Sequence, residues 1–298
     1  MENKSKIGIL AASGLGDGLL MQIAAHQFQG TLYSDCSALS ELFNNVKPWP
    51  DAFTDFDLLI VENDNSARCW DLMKRRNEFK SIRFIFPTIN PRLDIRDEDF
   101  VCNPKLAMAE NIANACAKWL NSTPTKENGI WKPPPAHYQI VKQRVCIHPT
   151  SCDPKRNWSR SSFEALAKAL SWRGYFPAFL VDPQERDDWK WVQESGFCLP
   201  LLTGMKELAQ FIFESGYLIG NDSGLGHLAS NLGIPTLTIS GNPKRVQLWR
   251  PAFIPGSIVT LKVPLPNFKG VGLKVRDNCW QPFVSLARVL KQFERQVK

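Results

Sequence analysis

The sequence lacks the signatures of several large protein classes. It has four histidines, and none of its eight cysteines forms a Cys-x-x-Cys pair. This disfavours zinc and redox sites, so we predict no metal cofactor and reduced cysteines. No stretch approaches the ~20 apolar residues of a membrane-spanning helix, and Asp17 interrupts the one N-terminal apolar run that resembles a secretion signal. These absences predict a cytoplasmic protein that touches a membrane at most peripherally.

Charge is distributed unevenly along the 298 residues. The net charge is +7, with −2 over residues 1–140 and +9 over residues 141–298. The second half should therefore attract an anionic ligand. The sequence contains no basic helix, zinc finger or ribonucleoprotein motif, so we predict no nucleic-acid partner. Because the basic residues are dispersed, a diphosphate ligand fits them better.

Short apolar runs alternate with helical patterns in both halves of the chain. Apolar residues spaced as on one helix face over 104–120 predict a helix, and buried strands are predicted at 6–12, 57–62, 82–86, 144–148, 176–181, 217–219 and 236–239. Such alternation predicts an α/β fold with parallel sheets. Further helices are expected at 18–29, 161–172, 184–194, 205–214, 224–232 and 281–296.

A proline-rich break over 121–137, with Pro133, Pro134 and Pro135 in succession, separates the two halves. It is typical of a linker. We therefore predict a Rossmann-like domain over 1–135, a second one over 136–280, and a C-terminal helix within 281–298 that can pack back on the first domain. The two domains are expected to face a cleft.

The segment 217–241 carries the strongest chemical pattern. A short strand leads into Asn221-Asp222-Ser223-Gly224, and a helix and a second strand follow. Asp222 or Ser223 is expected to cap the helix, whose first N–H groups and dipole suit a phosphate. His227, on the first helical turn, is placed to donate to a phosphate oxygen. An ordinary capped helix with a surface histidine explains the same residues.

This segment resembles glycosyltransferase family 9, the ADP-heptose:lipopolysaccharide heptosyltransferases. The family pattern is Asp-Ser/Thr-Gly-x-x-His-x-Ala, then a loop, Pro and a strand that ends in Gly. The matching positions are Asp222, Ser223, Gly224, His227, Ala229, Pro235 and Gly241. The resemblance implies a GT-B fold, with two doubly wound domains that face a cleft.

Two stretches upstream also match the family. Residues 148–151, ending in Thr150 and Ser151, resemble its strand-end segment, whose hydroxyls and following cations hold a diphosphate. Lys155 or Arg156 is the expected cation, although one residue is inserted before Trp158 and Ser159 replaces the family's proline. Both cations also fit a solvated loop.

Two carboxylates complete the match. Glu185 corresponds to a family glutamate that contacts the nucleotide ribose; a glutamate at a helix start is also favoured by the helix dipole. Asp17, in the loop Ser13-Gly14-Leu15-Gly16-Asp17 after the first strand, matches the family's proposed catalytic base. A helix cap is the alternative role for Asp17.

The resemblance implies an inverting, metal-independent glycosyltransferase. Its donor would be a nucleotide sugar, with ADP-heptose favoured, and its acceptor a saccharide or lipid-linked saccharide such as lipopolysaccharide core. We expect a monomer in the cytoplasm, in peripheral contact with the inner membrane. The alternatives are a GT-B-type nucleotide-sugar epimerase or hydrolase, and a catalytically silent nucleotide-binding scaffold.

Overall fold

The structure, a computed structural model, describes residues 5–50, 52–53, 55–90, 92–262 and 279–297. The chain divides into two compact units, Met1–Trp131 and Lys132–Lys298. Each unit is built on a sheet whose described strand pairs are all parallel, with helices in the connections. The predicted α/β class with two parallel-sheet domains is confirmed. The division between the units falls within the predicted linker.

The described strands of the first unit lie in the order β3-β2-β1-β4-β5-β6. The strands are β1 (Ile7–Leu10), β2 (Thr31–Tyr33), β3 (Val46–Lys47), β4 (Leu58–Glu62), β5 (Ile82–Phe86) and β6 (Phe100–Val101). The helices are α1 (Leu15–Gln27), α2 (Ala67–Lys74) and α3 (Met108–Leu120). The chain runs outward from β1 in both directions, so β1 and β4 flank the point where the strand order reverses.

The described strands of the second unit lie in the order β11-β10-β9-β7-β8. The strands are β7 (Val141–His148), β8 (Phe176–Phe179), β9 (Ser215–Asn221), β10 (Thr236–Ser240) and β11 (Ser257–Thr260). The helices are α4 (Arg160–Ser171), α5 (Trp191–Glu194), α6 (Met205–Phe213), α7 (Gly224–Asn231), α8 (Pro243–Trp249) and α9 (Leu286–Val297). Here the strand order reverses between β7 and β9.

The predicted helix at 184–194 is broken in the structure. A 3-10 turn, Arg186–Trp189, precedes the single turn of α5. The indole rings of Trp189 and Trp191 both pack on Phe179, with centroid separations of 6.0 and 5.7 Å. In a continuous α-helix, residues two apart point to opposite sides. Burial of both rings on one aromatic side chain therefore favours the break.

The C-terminal helix differs from the expectation that it packs back on the first domain. Its apolar face packs against β10, β11 and α4 of the second unit. Phe293 is buried in that unit's core, between Tyr175 and Tyr217 at ring centroid separations of 5.1 and 5.0 Å. The open face of the second sheet thus supplies the apolar contacts that an amphipathic helix needs.

None of the described helices has the length and apolar composition needed to cross a bilayer.

Candidate functional site

The reversal point of the second sheet lies between the carboxyl ends of β7 and β9. In open α/β sheets, ligands bind beyond these ends at such a point. The loop that begins at Pro149 follows β7, and the loop that begins at Asp222 follows β9. The structure therefore brings together, at one sheet edge, two motifs about 70 residues apart.

Asn221, which the sequence analysis did not assign a role, joins these two loops. Its Nδ2 donates to the Pro149 carbonyl at 2.6 Å, and its Oδ1 accepts from the Trp158 N–H at 2.9 Å. The side chain is buried, as is that of Trp158. Because these bonds satisfy both ends of the Asn221 amide, the two loops are held in a fixed relation.

The amino end of α7 departs from the predicted capping. Ser223 occupies the N-cap position, but its side chain makes no capping hydrogen bond. Its buried Oγ has no partner among the described residues. Helix N-termini leave backbone N–H groups unsatisfied, and here the side chain of Ser223 does not occupy them. An uncapped helix end beside an unpartnered hydroxyl is suited to receive an anion.

The Asp222 carboxylate is paired with a cation that sequence reasoning missed. Arg245 Nε donates to Asp222 Oδ2 at 3.1 Å, while the Asp222 side chain is 6% exposed and that of Arg245 46%. Arg245 lies on α8, which follows β10, so parallel neighbours bring it to this edge. Asp222 therefore holds a half-exposed guanidinium at the amino end of α7, where it adds positive charge.

His227 is not a surface histidine, which was the alternative to a phosphate-binding role. Its side chain is buried at 4% exposure, and its Nδ1 has no partner among the described residues. Burial lowers the pKa of His227, against the opposing effects of the Asp222 charge and a hydrogen bond with the Trp249 backbone. The ring is therefore neutral near pH 7, and its single N–H is used in the hydrogen bond with the Trp249 backbone, which leaves Nδ1 as an acceptor.

We expect His227 to make the stability of the protein depend on pH. Since its folded pKa lies below the ordinary value of 6.5, its contribution is complete above pH 6.5 and is lost as the pH falls towards the folded pKa. The melting temperature of the native protein should therefore fall towards that of His227→Gln as the buffer is acidified below pH 6.5. The exposed His26→Gln serves as the control. A constant difference between native protein and His227→Gln across pH 5–8 would contradict this expectation.

The hydroxyl and carboxylate predicted to bind the nucleotide contact each other. Thr150 Oγ1 donates to Glu185 Oε2 at 2.8 Å. These residues follow β7 and β8, which are neighbours in the sheet. Ser151 is turned differently, because its single O–H lies within hydrogen-bond distance of two acceptors, the Asp153 carbonyl at 2.9 Å and Asn157 Oδ1 at 2.7 Å. Thr150 and Glu185 thus form one polar pair, whereas the Ser151 hydroxyl bonds to residues of the loop after β7 to which it belongs.

The two candidate cations, Lys155 and Arg156, differ in whether their side chains already contact other residues. The Arg156 guanidinium contacts Cys152 Sγ at 2.7 Å and lies 3.9 Å from the Asp153 carboxylate. The Lys155 side chain makes no hydrogen bond or ion pair with the described residues, although its backbone is anchored. Trp280 Nε1 donates to the Lys155 carbonyl at 2.8 Å, and the ring of Trp280 lies against Gly241. The exposed ammonium of Lys155 is therefore carried on a fixed loop.

Asp17 lies in the first unit, on the third residue of α1. The helix begins after Gly14, whose φ of 147° is in the region that favours glycine. A Cβ at Gly14 would lie 2.8 Å from Asp17 Oδ2, so the carboxylate folds back over that glycine. The position of Asp17 in the first turn of α1 is compatible with a helix-capping role. The same position places its carboxylate at the carboxyl end of β1.

No group of three or more His, Cys, Asp or Glu side chains that could hold a metal ion occurs among the residues that the structure describes.

Comparison with solved structures defines the fold class. The chain is similar to ADP-heptose lipopolysaccharide heptosyltransferase II of E. coli, with 16% identity and a TM-score of 0.65 over 97% of this chain and 98% of that one. It is also similar to the E. coli heptosyltransferase WaaC solved with ADP, with 14% identity and a TM-score of 0.66 over 98% and 100% of the two chains. At these identities the likeness concerns the fold. The chain has the GT-B fold of these enzymes, as predicted.

The sequence comparisons concern the second half. Residues 123–257 match the model of glycosyltransferase family 9 (heptosyltransferase). A stretch of 123 residues, 39% of this chain, is 28% identical to lipopolysaccharide heptosyltransferase 3 of Escherichia coli and spans 36% of that relative's length. The family match includes the loops after β7, β8 and β9, and it confirms the resemblance predicted from the sequence. The chain is therefore similar to glycosyltransferase family 9 over these residues, which make up less than half of its length.

Proposed function

We propose that the protein is an inverting glycosyltransferase that uses a nucleoside diphosphate sugar. The observation that carries this proposal is the set of polar groups at the reversal point of the second sheet. An uncapped helix end, an unpartnered Ser223 hydroxyl and the Thr150–Glu185 pair lie on loops that belong to the family 9 segment. The helix end and the Ser223 hydroxyl suit a diphosphate, and the Thr150–Glu185 pair suits a ribose.

In this proposal the diphosphate binds at the amino end of α7. The N–H groups that begin at Gly224 and the Ser223 hydroxyl donate to its oxygens, and the neutral imidazole of His227 lies beside them on the first turn of α7. One cation of the loop after β7 neutralises part of its charge, and the half-exposed guanidinium of Arg245 lies near it while paired with Asp222. Glu185 accepts from the ribose hydroxyls, with Thr150 beside it. Since these donors and cations stabilise the leaving diphosphate, the transfer requires no metal ion; unchanged activity in a chelator tests this.

We further propose ADP-heptose as the donor and a lipopolysaccharide core saccharide as the acceptor. The support comes from the relatives, which include a lipopolysaccharide heptosyltransferase and a structure solved with ADP. Asp17 removes the proton from the acceptor hydroxyl, whose oxygen attacks the anomeric carbon. The bond from that carbon to the diphosphate breaks, and the configuration inverts. We propose that the enzyme acts as a monomer in the cytoplasm, where its basic second half favours contact with anionic lipid headgroups.

A thermal-shift titration with ADP, UDP and GDP, followed by a transfer assay with ADP-heptose and deacylated lipopolysaccharide core, tests the proposal. A ligand at 100-fold its dissociation constant stabilises the folded state by about 2.7 kcal/mol. Selective stabilisation by ADP with formation of heptosylated product supports it. Consumption of ADP-heptose without an acceptor indicates a hydrolase or epimerase. Nucleotide binding without any turnover of a panel of nucleotide sugars indicates a silent scaffold.

We expect Lys155, rather than Arg156, to bind the diphosphate. Lys155→Gln removes an exposed ammonium that has no described partner, whereas Arg156 is already engaged with Cys152 and Asp153. A hydrogen bond to a charged group contributes about 1.5–3 kcal/mol, so ADP binding should weaken by roughly 10- to 150-fold. Isothermal titration of both variants measures this, and Arg156→Gln is the matched control. A larger loss in Arg156→Gln than in Lys155→Gln would reverse the assignment.

A further inference from the structure

Glu62 occupies the reversal point of the first sheet. It is the last residue of β4, and β4 pairs directly with β1, from Ile7 opposite Leu58 to Leu10 opposite Val61. The loop that carries Asp17 leaves the carboxyl end of β1. The two carboxylates therefore stand at the ends of adjacent parallel strands, on either side of the point where ligands bind in this class of sheet.

The Glu62 side chain connects the two strand ends. Its Oε2 accepts from the Ala12 N–H at 3.0 Å, and Ala12 directly precedes the Ser13–Asp17 loop. The side chain is buried at 2% exposure, and its Oε1 has no partner among the described residues. A buried carboxyl group with one unsatisfied oxygen is costly to retain. Such a group is expected where it serves a site, and this one lies at the base of the Asp17 loop.

Among the described residues, the charged groups that act on Glu62 are carboxylates. Asp17 on α1 and Asp64 after β4 both act on it, and the Cys102 thiol beyond β6 lies within its field. Burial first, and then the charge of Asp17, raise the pKa of Glu62 well above its ordinary value of 4.5. Two neighbouring carboxyl groups of which one is buried do not both ionise readily, so burial favours the protonated form of Glu62.

We infer that Glu62 is a positioning residue for Asp17. Glu62 holds the base of the Asp17 loop through the Ala12 N–H, and its protonation state sets the charge beside Asp17. The inference rests on the proposed function, in which Asp17 takes the acceptor proton. In that step the acceptor O–H bond breaks and the proton passes to Asp17, while Glu62 keeps its own proton. Once Glu62 ionises at higher pH, its negative charge makes Asp17 a stronger base.

The pH dependence of turnover in Glu62→Gln tests this role. Glutamine retains an acceptor for the Ala12 N–H but cannot ionise. In the native enzyme, kcat should rise once with increasing pH as the base Asp17 ionises, and again at higher pH as Glu62 loses its proton. We expect this second rise to be absent from the variant. Because Asp17 remains, the loss of turnover should be smaller than the ~10²-fold minimum expected for removing a base. The exposed Glu194→Gln is the control. Identical pH profiles of native enzyme and Glu62→Gln would overturn the inference.

A stability measurement tests the same pair without any need for transfer. Because the folded pKa of Glu62 is raised, its contribution to stability is complete below the ordinary value of 4.5 and is lost as the pH rises towards the folded pKa. The melting temperature of native protein relative to Glu62→Gln should therefore fall with increasing pH. Asp17→Asn removes the facing charge, lowers the pKa of Glu62 and should make this fall smaller.

The outcomes separate the inference from the proposed function. If the native protein transfers no sugar but Asp17→Asn alters the pH dependence of melting above about pH 6, where an ordinary aspartate no longer titrates, the glycosyltransferase proposal fails while the carboxylate pair stands. If sugar is transferred and Asp17→Asn leaves that dependence unchanged, the positioning role of Glu62 is overturned. This comparison keeps Glu62 in place, so it remains decisive even if Glu62→Gln does not fold.

Discussion

Asp17→Asn is expected to lower turnover by about 10²- to 10⁴-fold, which is the range for loss of a general base. Asparagine has nearly the same shape as aspartate but cannot accept the proton of the acceptor hydroxyl. ADP affinity should be unchanged, since all proposed donor contacts belong to the second unit. Single-turnover transfer of heptose together with ADP titration measures both quantities.

Asp71→Asn is the matched control for Asp17→Asn. It makes the same substitution at an exposed carboxylate of the first unit, which pairs with Arg75 across the surface of α2, and it should leave turnover unchanged. The stability cost of Asp17→Asn itself should be at most about 1 kcal/mol, the contribution of an acidic side chain in the first turn of a helix. Native turnover in Asp17→Asn would remove Asp17 from the mechanism.

Asp99→Asn is expected to destabilise the first unit by about 3–5 kcal/mol, the cost of removing one partner of a buried ion pair. The Asp99 carboxylate accepts from Arg76 Nη1 and Nη2 at 2.9 and 2.8 Å, and from the Phe84 N–H at 2.8 Å. The side chains of Arg76 and Asp99 are 1% and 0% exposed. Since the substituted asparagine is neutral, the guanidinium of Arg76 would remain buried without a full counter-charge.

Urea unfolding with hydrogen exchange read at the amides of β5 measures this change in the first unit separately from the second. Glu98→Gln provides a sharp control, because Glu98 contacts the same guanidinium at 3.3 Å but is 46% exposed. Such a partly exposed pair contributes about 0–1 kcal/mol. Equal effects of the two substitutions would show that burial does not determine the strength of this ion pair.

The regular elements with strong local patterns were predictable from the sequence. The strand Ile82–Phe86 has the predicted bounds, and the helices Met108–Leu120 and Gly224–Asn231 lie within the predicted ranges. Runs of two to four residues such as Val46–Lys47, Phe100–Val101 and Ser257–Thr260 were not predicted. A strand this short has no usable periodicity, and it forms because a neighbouring strand supplies its hydrogen bonds.

The candidate site divides in the same way. The turn after β9 and the loop after β7 were recognisable because their residues are contiguous and have family counterparts. Asn221, Arg245 and Glu62 were missed as partners. Asparagine before a turn, arginine on a short helix and glutamate at a strand end are each common, and only their contacts distinguish them. The capping expected of Asp222 or Ser223 was wrong for Ser223, because helix-start signals do not reveal which way a hydroxyl turns.

The sequence by itself determined the two α/β domains, the resemblance to family 9 and the turn proposed to bind phosphate, since these depend on residues close together in the chain. Only the tertiary structure determined the partners of the functional side chains. The bonded partners are far apart in the chain: 72 residues separate Pro149 from Asn221, 23 separate Asp222 from Arg245, and 50 separate Ala12 from Glu62. The physical reason is the parallel sheet, which brings the carboxyl ends of distant strands to one edge, where their side chains meet.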